Sequence, residues 1–330
     1  MAETKIKDNL EVIKETLAVL ETEPNWHLRY ADYASKILEH EKHYKEMARK
    51  AHVSFPLSAY TSISKLTGSS AIYDIRYIGQ SIGTLTIKSD GSRVFKYSEG
   101  YSDLRNKRGY SNLPELKKEE KWESAKMSEC RSILKSIELS KANTHSPEHK
   151  CENLLLREFS KKQSTEKSLL RIQPVRFAGK FVQLTTNLKA SKKGEVTYST
   201  KGGGIDILAR VGVGANSHLC VLELKDENHA SEPMAIVLQQ ALSYAVFLAQ
   251  LLDNENCKDW WKVLGYKGNV EPIHRIDVVG LMPKGDESVC DAFYKVGSFE
   301  LHLHTLYFDK DALFNQEKFE FSGSYVKELA

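Results

Sequence analysis

The chain has 330 residues, 41% of them hydrophobic and 28% charged, and a net charge of only +3. This is ordinary globular composition, long enough for two domains at ~100–200 residues each. The small net charge neither identifies nor excludes a nucleic-acid binder, because binding depends on local patches. The five cysteines (Cys130, Cys151, Cys220, Cys257 and Cys290) form no CxxC pair and sit in apolar patterns, which points to reduced thiols and away from a structural zinc site. No run approaches the ~18 apolar residues of a membrane span, and MAETKIKDNLEVIKE has no apolar signal core. A cytoplasmic protein without membrane contact is expected.

In chain order, Ile6, Leu10, Ile13, Leu17 and Leu20 form a heptad-like stripe that Pro24 closes. A second helix is predicted from Trp26 to Lys50. Two readings stay open for the stripe: packing within its own domain, or a homodimer contact. Alternation from Ala71 to Tyr97, with the turn Ser89-Asp90-Gly91-Ser92, predicts a β-hairpin or meander. GYSDLRNKRGYSN reads as a polar loop whose Tyr101, Arg105, Lys107, Arg108 and Tyr110 suit either solvent or a nucleic-acid backbone. A long charged helix is predicted from Pro114 to about Ser140, with Trp122, Met127, Cys130, Leu134 and Ile137 on its buried side.

SKANTHSP has linker composition, which divides the chain into an accessory domain over 1–143 and a second domain over 144–330. Beyond the division, Ser146 and Pro147 suit the start of a helix. A strand-like LLRIQPVRFAGKFVQLTT and a lysine-rich loop follow. Then come the strands IDILARV and HLCVLELK, a helix over about 232–252, and the strands HRIDVVGLMP and FELHLHTLYF. The order α-β-β-β-α-β plus one strand predicts a mixed sheet with helices on its faces.

Three charges interrupt these core-like strands. Glu223 and Lys225 stand two apart, so they project on one face from the end of CVLEL. Buried charge is costly unless paired or bound to an ion. If the strands are antiparallel, Asp206 faces the same end. Two converging carboxylates repel, and a divalent cation relieves the repulsion; oxygen ligands suit Mg²⁺ or Mn²⁺. Lys225 can orient or deprotonate a water, or stabilise charge on phosphorus oxygens. Gly202, Gly203 and Gly204 leave room for a bulky backbone to approach Asp206. Lys189, Lys192, Lys193 and Lys201 flank this loop, as phosphate contacts or as a solvated face. The chemistry these groups describe is metal-dependent phosphodiester hydrolysis.

Asp206 followed by Glu223-Leu224-Lys225 at hairpin spacing resembles the PD-(D/E)xK phosphodiesterase superfamily, over roughly residues 146–308. The resemblance implies an α+β fold with a restriction-endonuclease-like αβββαβ core and a mixed central sheet, beside an N-terminal α+β accessory domain. It implies that an acid from the first core helix joins the site. Glu152 matches best and Glu148 is the alternative. It further implies a glutamine on the later helix with a tyrosine four residues on. Gln240 and Tyr244 fit, with Gln239 competing. The implied metal ligands are Asp206, Glu223, Glu152 and the Leu224 carbonyl, and Gly203, Gly204, Lys201 and Tyr244 become candidate DNA contacts. The sequence departs from the pattern in carrying Ile205-Asp206 and not Pro-Asp.

The expected function is a Mg²⁺- or Mn²⁺-dependent nuclease on DNA, with RNA left open and restriction, repair or defence against mobile elements as its setting. The alternative is a nuclease-like binding module without turnover.

Other histidine patterns carry less. His145 and His149 have the spacing of an inverted zinc-protease motif, but Pro147 between them suits a helix start and not a helix interior. His40 and His43 suit a solvated helix face. His302 and His304 suit the outer face of a half-covered strand.

Overall fold

The computed structural model describes residues 6–160, 171–191, 195–199, 203–212, 214, 217–227, 232–266, 274–283, 291–318 and 320–329. The chain opens with two helices, α1 (Asn9–Glu21) and α2 (Trp26–Lys50). Strands β1 (Leu57–Thr61), β2 (Ser70–Tyr77), β3 (Gln80–Lys88) and β4 (Arg93–Tyr97) then form an antiparallel meander. The expected β3–β4 turn forms, with the Ser92 N–H donating to Asp90 Oδ1.

Next come α3 (Glu99–Lys107), β5 (Glu119–Lys121), α4 (Ala125–Ser136) and α5 (Pro147–Ser160). Short strands follow: β6 (Ile172–Pro174), β7 (Arg176–Phe177), β8 (Lys180–Val182), β9 (Leu188–Ala190) and β10 (Val196–Tyr198). The remainder is β11 (Ile207–Val211), β12 (His218–Leu224), α6 (Met234–Asp253), α7 (Asp259–Val263), β13 (Arg275–Pro283), β14 (Ala292–Val296), β15 (Phe299–Phe308), α8 (Lys310–Asn315) and α9 (Ser324–Leu329).

The architecture is α+β with two larger sheets, both of mixed strand direction. The seven-stranded sheet runs β5-β4-β3-β2-β1-β8-β7 and is antiparallel except at β1–β8. The six-stranded sheet runs β14-β15-β13-β12-β11-β6. In it β6, β11 and β12 are antiparallel neighbours, and β12, β13 and β15 are parallel. A short β9–β10 hairpin lies in what reads as a lysine-rich loop.

The seven-stranded sheet draws β7 and β8 from beyond residue 143, so the two sides of the proposed division share one sheet. They also share a core. Trp26 and Tyr30 of α2 pack on Phe247 of α6, each with ring centroids 5.1 Å apart, and Trp260 Nε1 donates to the Tyr30 carbonyl at 2.9 Å. The α1 stripe splits in the same way. Val12, Ile13 and Leu20 are buried, and α1 lies against α6, whereas Ile6 and Leu10 are about half exposed.

Several expectations are corrected. The polar loop after β4 is the helix α3, because Tyr101 and Leu104 share one buried face. Three of the basic and aromatic residues there hold the local fold, and Lys107 stays exposed. Tyr101 donates to the Pro114 carbonyl, Arg105 to the Leu113 carbonyl, and Arg108 pairs with Asp103. The long helix expected from Pro114 begins only at Ala125, where Ser124 caps it by accepting from the Met127 N–H. Glu119–Lys121 before it pairs with β4. The strand-like stretch over 171–186 divides between β6, which joins the six-stranded sheet, and the β7–β8 hairpin, which turns at Ala178-Gly179, both at positive φ, and joins the seven-stranded sheet.

β14 has no counterpart in the sequence reading. His304 is not on an open face, because Tyr325 of α9 stacks on it at 5.1 Å. α6 does have the length and hydropathy to cross a membrane, contrary to the sequence reading, and 89% of that window is buried inside the protein as a core helix.

Candidate active site

The antiparallel pairing of β11 and β12 sets Ile207 opposite Leu222, so Asp206 stands one step further, opposite Glu223. Asp206 Oδ2 accepts from the Leu224 N–H at 2.9 Å, which fixes the carboxylate against the end of β12. The parallel neighbour β13 completes the strand end, with the Lys225 N–H donating to the Leu281 carbonyl at 2.9 Å. Glu223 and Lys225 are both buried, and Lys225 Nζ donates to Glu223 Oε1 at 2.9 Å.

Helix α5 supplies two more carboxylates one turn apart. Glu148 Oε2 lies 3.6 Å from Lys225 Nζ and is partly exposed. Glu152 is 2% exposed and sits deeper. The two candidates from this helix therefore do different things: Glu148 faces the lysine, and Glu152 lines the floor. The side chain sequence reasoning missed is Arg76 of β2, which faces Glu152 from the other sheet. Arg76 is held by Asp74 at 2.7 Å and donates to Gln183 Oε1 at 3.1 Å.

The electrostatics are unbalanced. Four carboxylates (Asp206, Glu223, Glu148 and Glu152) face two cations, Lys225 and Arg76. Burial, and then the Asp206 carboxylate, push Glu223 well above the usual carboxylate range despite Lys225. Burial also raises Asp206, against the pull of Lys225 and the Leu224 N–H. Glu152 is pushed up to about 8 by burial, which Arg76 opposes and Asp206 and Glu148 reinforce. For Lys225, burial works against the ammonium, but Glu223, Asp206 and Glu148 outweigh it and hold the group firmly charged.

Two buried oxygens, Glu223 Oε2 and Glu152 Oε1, have no hydrogen-bond partner among the described residues. Such atoms are rare in folded proteins and mark strain, catalysis or an ion that belongs there. Among the described residues, no three His, Cys, Asp or Glu side chains are already gathered as a cation cage. The donor set closest to one is Asp206 with Glu223, to which a backbone carbonyl and water would add.

The remaining predicted residues are placed as follows. Tyr244 is buried behind Asp206 and Glu223, and those two carboxylates add to the burial that raises its phenol. Gln240 is on the same helix face, but its amide donates to the Ser191 carbonyl at 3.3 Å and to Glu232 Oε1 at 3.2 Å, so it anchors the loop entering the site. Gln239 points to α1, donating to the Lys7 carbonyl at 2.7 Å.

The room at the glycines is taken by the chain itself. A Cβ on Gly203 would lie 2.7 Å from the Tyr244 hydroxyl, and one on Gly204 would lie 2.9 Å from Gln183 Nε2. Lys189 of β9 is exposed. Lys192, Lys193, Lys201 and Gly202 lie outside the described residues.

The opposite end of the same strands holds a second buried carboxylate, Asp277 of β13. His218 Nε2 lies 2.6 Å from its Oδ2, and the Tyr325 hydroxyl donates to the same oxygen at 2.7 Å. Arg275 Nε donates to Oδ1 at 2.7 Å. Burial would raise this carboxyl, but His218 and Arg275 outweigh it and hold it below the usual range.

Compared with family models, with curated proteins and with solved structures, the chain matches none.

Proposed function

We propose that the chain is a divalent-metal-dependent nuclease that hydrolyses phosphodiester bonds, with DNA as the first polymer to test. The observation that carries this reading is Glu223 Oε2, buried and without a partner, beside an Asp206 carboxylate that raises it further. Holding two such carboxylates ionised together is unfavourable, and a hard cation removes the conflict. The order α5, β6, β11, β12, α6, β13, with three antiparallel strands and then a parallel one, supports the resemblance to the PD-(D/E)xK core.

In this reading Asp206 and Glu223 hold the cation with the Leu224 carbonyl, and Glu152 lies behind them. When bound, the cation supplies Lewis-acid polarisation of a phosphate oxygen and a more acidic water. Lys225, held as an ammonium, donates to the attacking water or to the phosphorus oxygens that gain charge in the transition state. A group held so firmly charged is a poor base, so orientation and charge stabilisation are its roles. Glu148 positions Lys225 from the solvent side, and Gln240 holds the entering loop.

The 2.9 Å Lys225–Glu223 pair favours a second reading, a binding module in which the lysine is a structural counter-ion. Incubation with plasmid, single-stranded DNA and RNA, each with Mg²⁺, Mn²⁺ or EDTA, separates the two. Cleavage that needs metal and is lost in Asp206→Ala and Lys225→Ala is expected. Cleavage that survives EDTA or both substitutions contradicts the nuclease reading, and silence on every polymer favours the binding module.

A further inference from the structure

The seven-stranded sheet has one closed face and one open face. On β2, Tyr73, Ile75 and Tyr77 are fully buried, and Ile72, Asp74 and Arg76 alternate with them as half-buried residues. The register continues this second face through Ser58 and Tyr60 of β1, where Tyr60 is buried, to the half-buried Phe181 of β8. Helix α5, which carries Glu148 and Glu152, borders it, with Asn153 Nδ2 donating to Ser58 Oγ at 2.9 Å. The open face therefore adjoins the candidate active site.

Two cavities lie along it, on either side of the Tyr60–Phe181 ring pair, whose centroids are 5.4 Å apart. The first has a volume of about 160 Å³ and is lined by Tyr60, Thr61, Asp74, Arg76, Gln183 and Thr185. Much of its wall is polar, with Arg76 donating to both Asp74 and Gln183, and Thr61 Oγ1 is buried there without a partner among the described residues. The Arg76 guanidinium stacks 4.0 Å from the Tyr60 ring centroid and makes a flat wall. This volume is close to the ~150 Å³ of a cavity known to hold one benzene ring. Thr185 bridges to Gly204, so the cavity ends two residues from Asp206.

The second cavity, of about 210 Å³, is basic, with Arg157, Arg176 and Lys180 in its wall. Among the described residues, none of the three has an acidic partner within ion-pair distance.

We propose that this face is the track for a single nucleic-acid strand, in which the cavity beside Arg76 takes one unstacked base and the Arg176–Lys180 cavity takes a backbone phosphate. The inference rests on the nuclease reading of the neighbouring carboxylates. A ring-sized cavity with polar walls, aromatic side chains beside it and cations without acidic partners further along are the parts of a single-strand site. A base held in a paired, stacked duplex cannot enter such a cavity without first being unpaired. The substrate class is thus a nucleic acid that is single-stranded at the cut.

Fluorescence anisotropy tests this with a twelve-nucleotide DNA strand, its duplex and the matching RNA, in Ca²⁺ to slow turnover, with cleavage followed separately in Mg²⁺. The single strand is expected to bind at least tenfold tighter than the duplex. Replacing its bases one at a time by abasic residues is expected to cost at least tenfold at one position, and Gln183→Leu to abolish that dependence. Arg176→Ala with Lys180→Ala is expected to weaken every sequence alike and lower the slope of log affinity against log salt by about 0.7, the loss of one single-strand phosphate contact.

A duplex that binds as well as the strand, or a flat abasic scan in the unaltered protein, overturns the inference. If cleavage occurs with those outcomes, only the track is wrong. If the binding pattern holds and no polymer is cut, the track stands and the catalytic reading fails.

Discussion

Strands β12 and β13 carry buried carboxylates at both ends, and the two ends are built differently. Asp277 has three donors on its two oxygens and is held below the usual carboxylate range. Asp206, Glu223 and Glu152 at the other end are raised, and two of their oxygens have no partner. A satisfied buried carboxylate stabilises the fold. An unsatisfied one destabilises it unless something absent from the chain completes it. The same strands thus carry a satisfied polar cluster and an unsatisfied one, and this contrast is the ground for proposing the unsatisfied end as the functional one.

The largest effect expected from breaking this contrast is on cleavage. Asp206→Asn is expected to reduce the rate by at least about a thousandfold, the upper end of the loss from one transition-state contact. Its melting temperature without metal is expected to stay level or rise, because a repelling charge is removed. A melting temperature that falls by several degrees would place Asp206 with the structural carboxylates.

Asp277→Ala should do the reverse. Arg275 keeps its second partner, Glu328, but the buried Tyr325 hydroxyl and His218 lose their acceptor, which is expected to cost about 1–3 kcal/mol of stability in urea unfolding. Cleavage per folded molecule is expected to be unchanged, and a loss of rate in fully folded protein would erase the distinction between the ends.

The two clusters also oppose each other in pH. Glu152 titrates near 8 when folded, above the ordinary carboxylate value, so the folded state retains a proton that the unfolded chain releases. Without metal, stability should therefore fall as pH rises from about 4.5 to about 8. Asp277 has the opposite sign: its contribution is present above the ordinary carboxylate range and is lost as pH falls through its depressed value. Glu152→Gln is expected to melt higher than the unaltered protein at pH 8.5, with the gap closing toward pH 5 on a scale of about one proton. An equal gap at both pH values would show that Glu152 is not the buried acid described.

The smallest effect is assigned to Glu148. It is 3.6 Å from Lys225 and partly exposed, so the pair is worth under about 1 kcal/mol. Glu148→Gln is expected to slow cleavage less than about tenfold, and a larger loss in single-turnover rate would move it to the metal.

Much of this site is legible in the sequence because its parts are local. Asp206 and Glu223 belong to one hairpin, and the i, i+2 rule places Lys225 beside Glu223. Glu152 is found from the helical spacing that buries Leu155 and Phe159 on the same helix. Arg76 and Gln183 are not legible, because they reach the site through the β1–β8 pairing, which joins segments more than a hundred residues apart. No local pattern encodes such a pairing. Packing on β3 overrode the loop expected over GYSDLRNKRGYSN, where Tyr101 and Leu104, buried on one face of α3, outweigh a polar composition. Gln240 shows the limit of spacing. It shares a face with Tyr244, yet its amide is committed to Ser191 and Glu232.

The most direct test of the account is cation binding without turnover. Mn²⁺ titrated into the protein and followed by electron paramagnetic resonance should report a site that is lost in both Asp206→Asn and Glu223→Gln and retained in Asp277→Asn. Binding that survives in Asp206→Asn and Glu223→Gln, or that disappears only in Asp277→Asn, would contradict the assignment of the Asp206 end as the functional one.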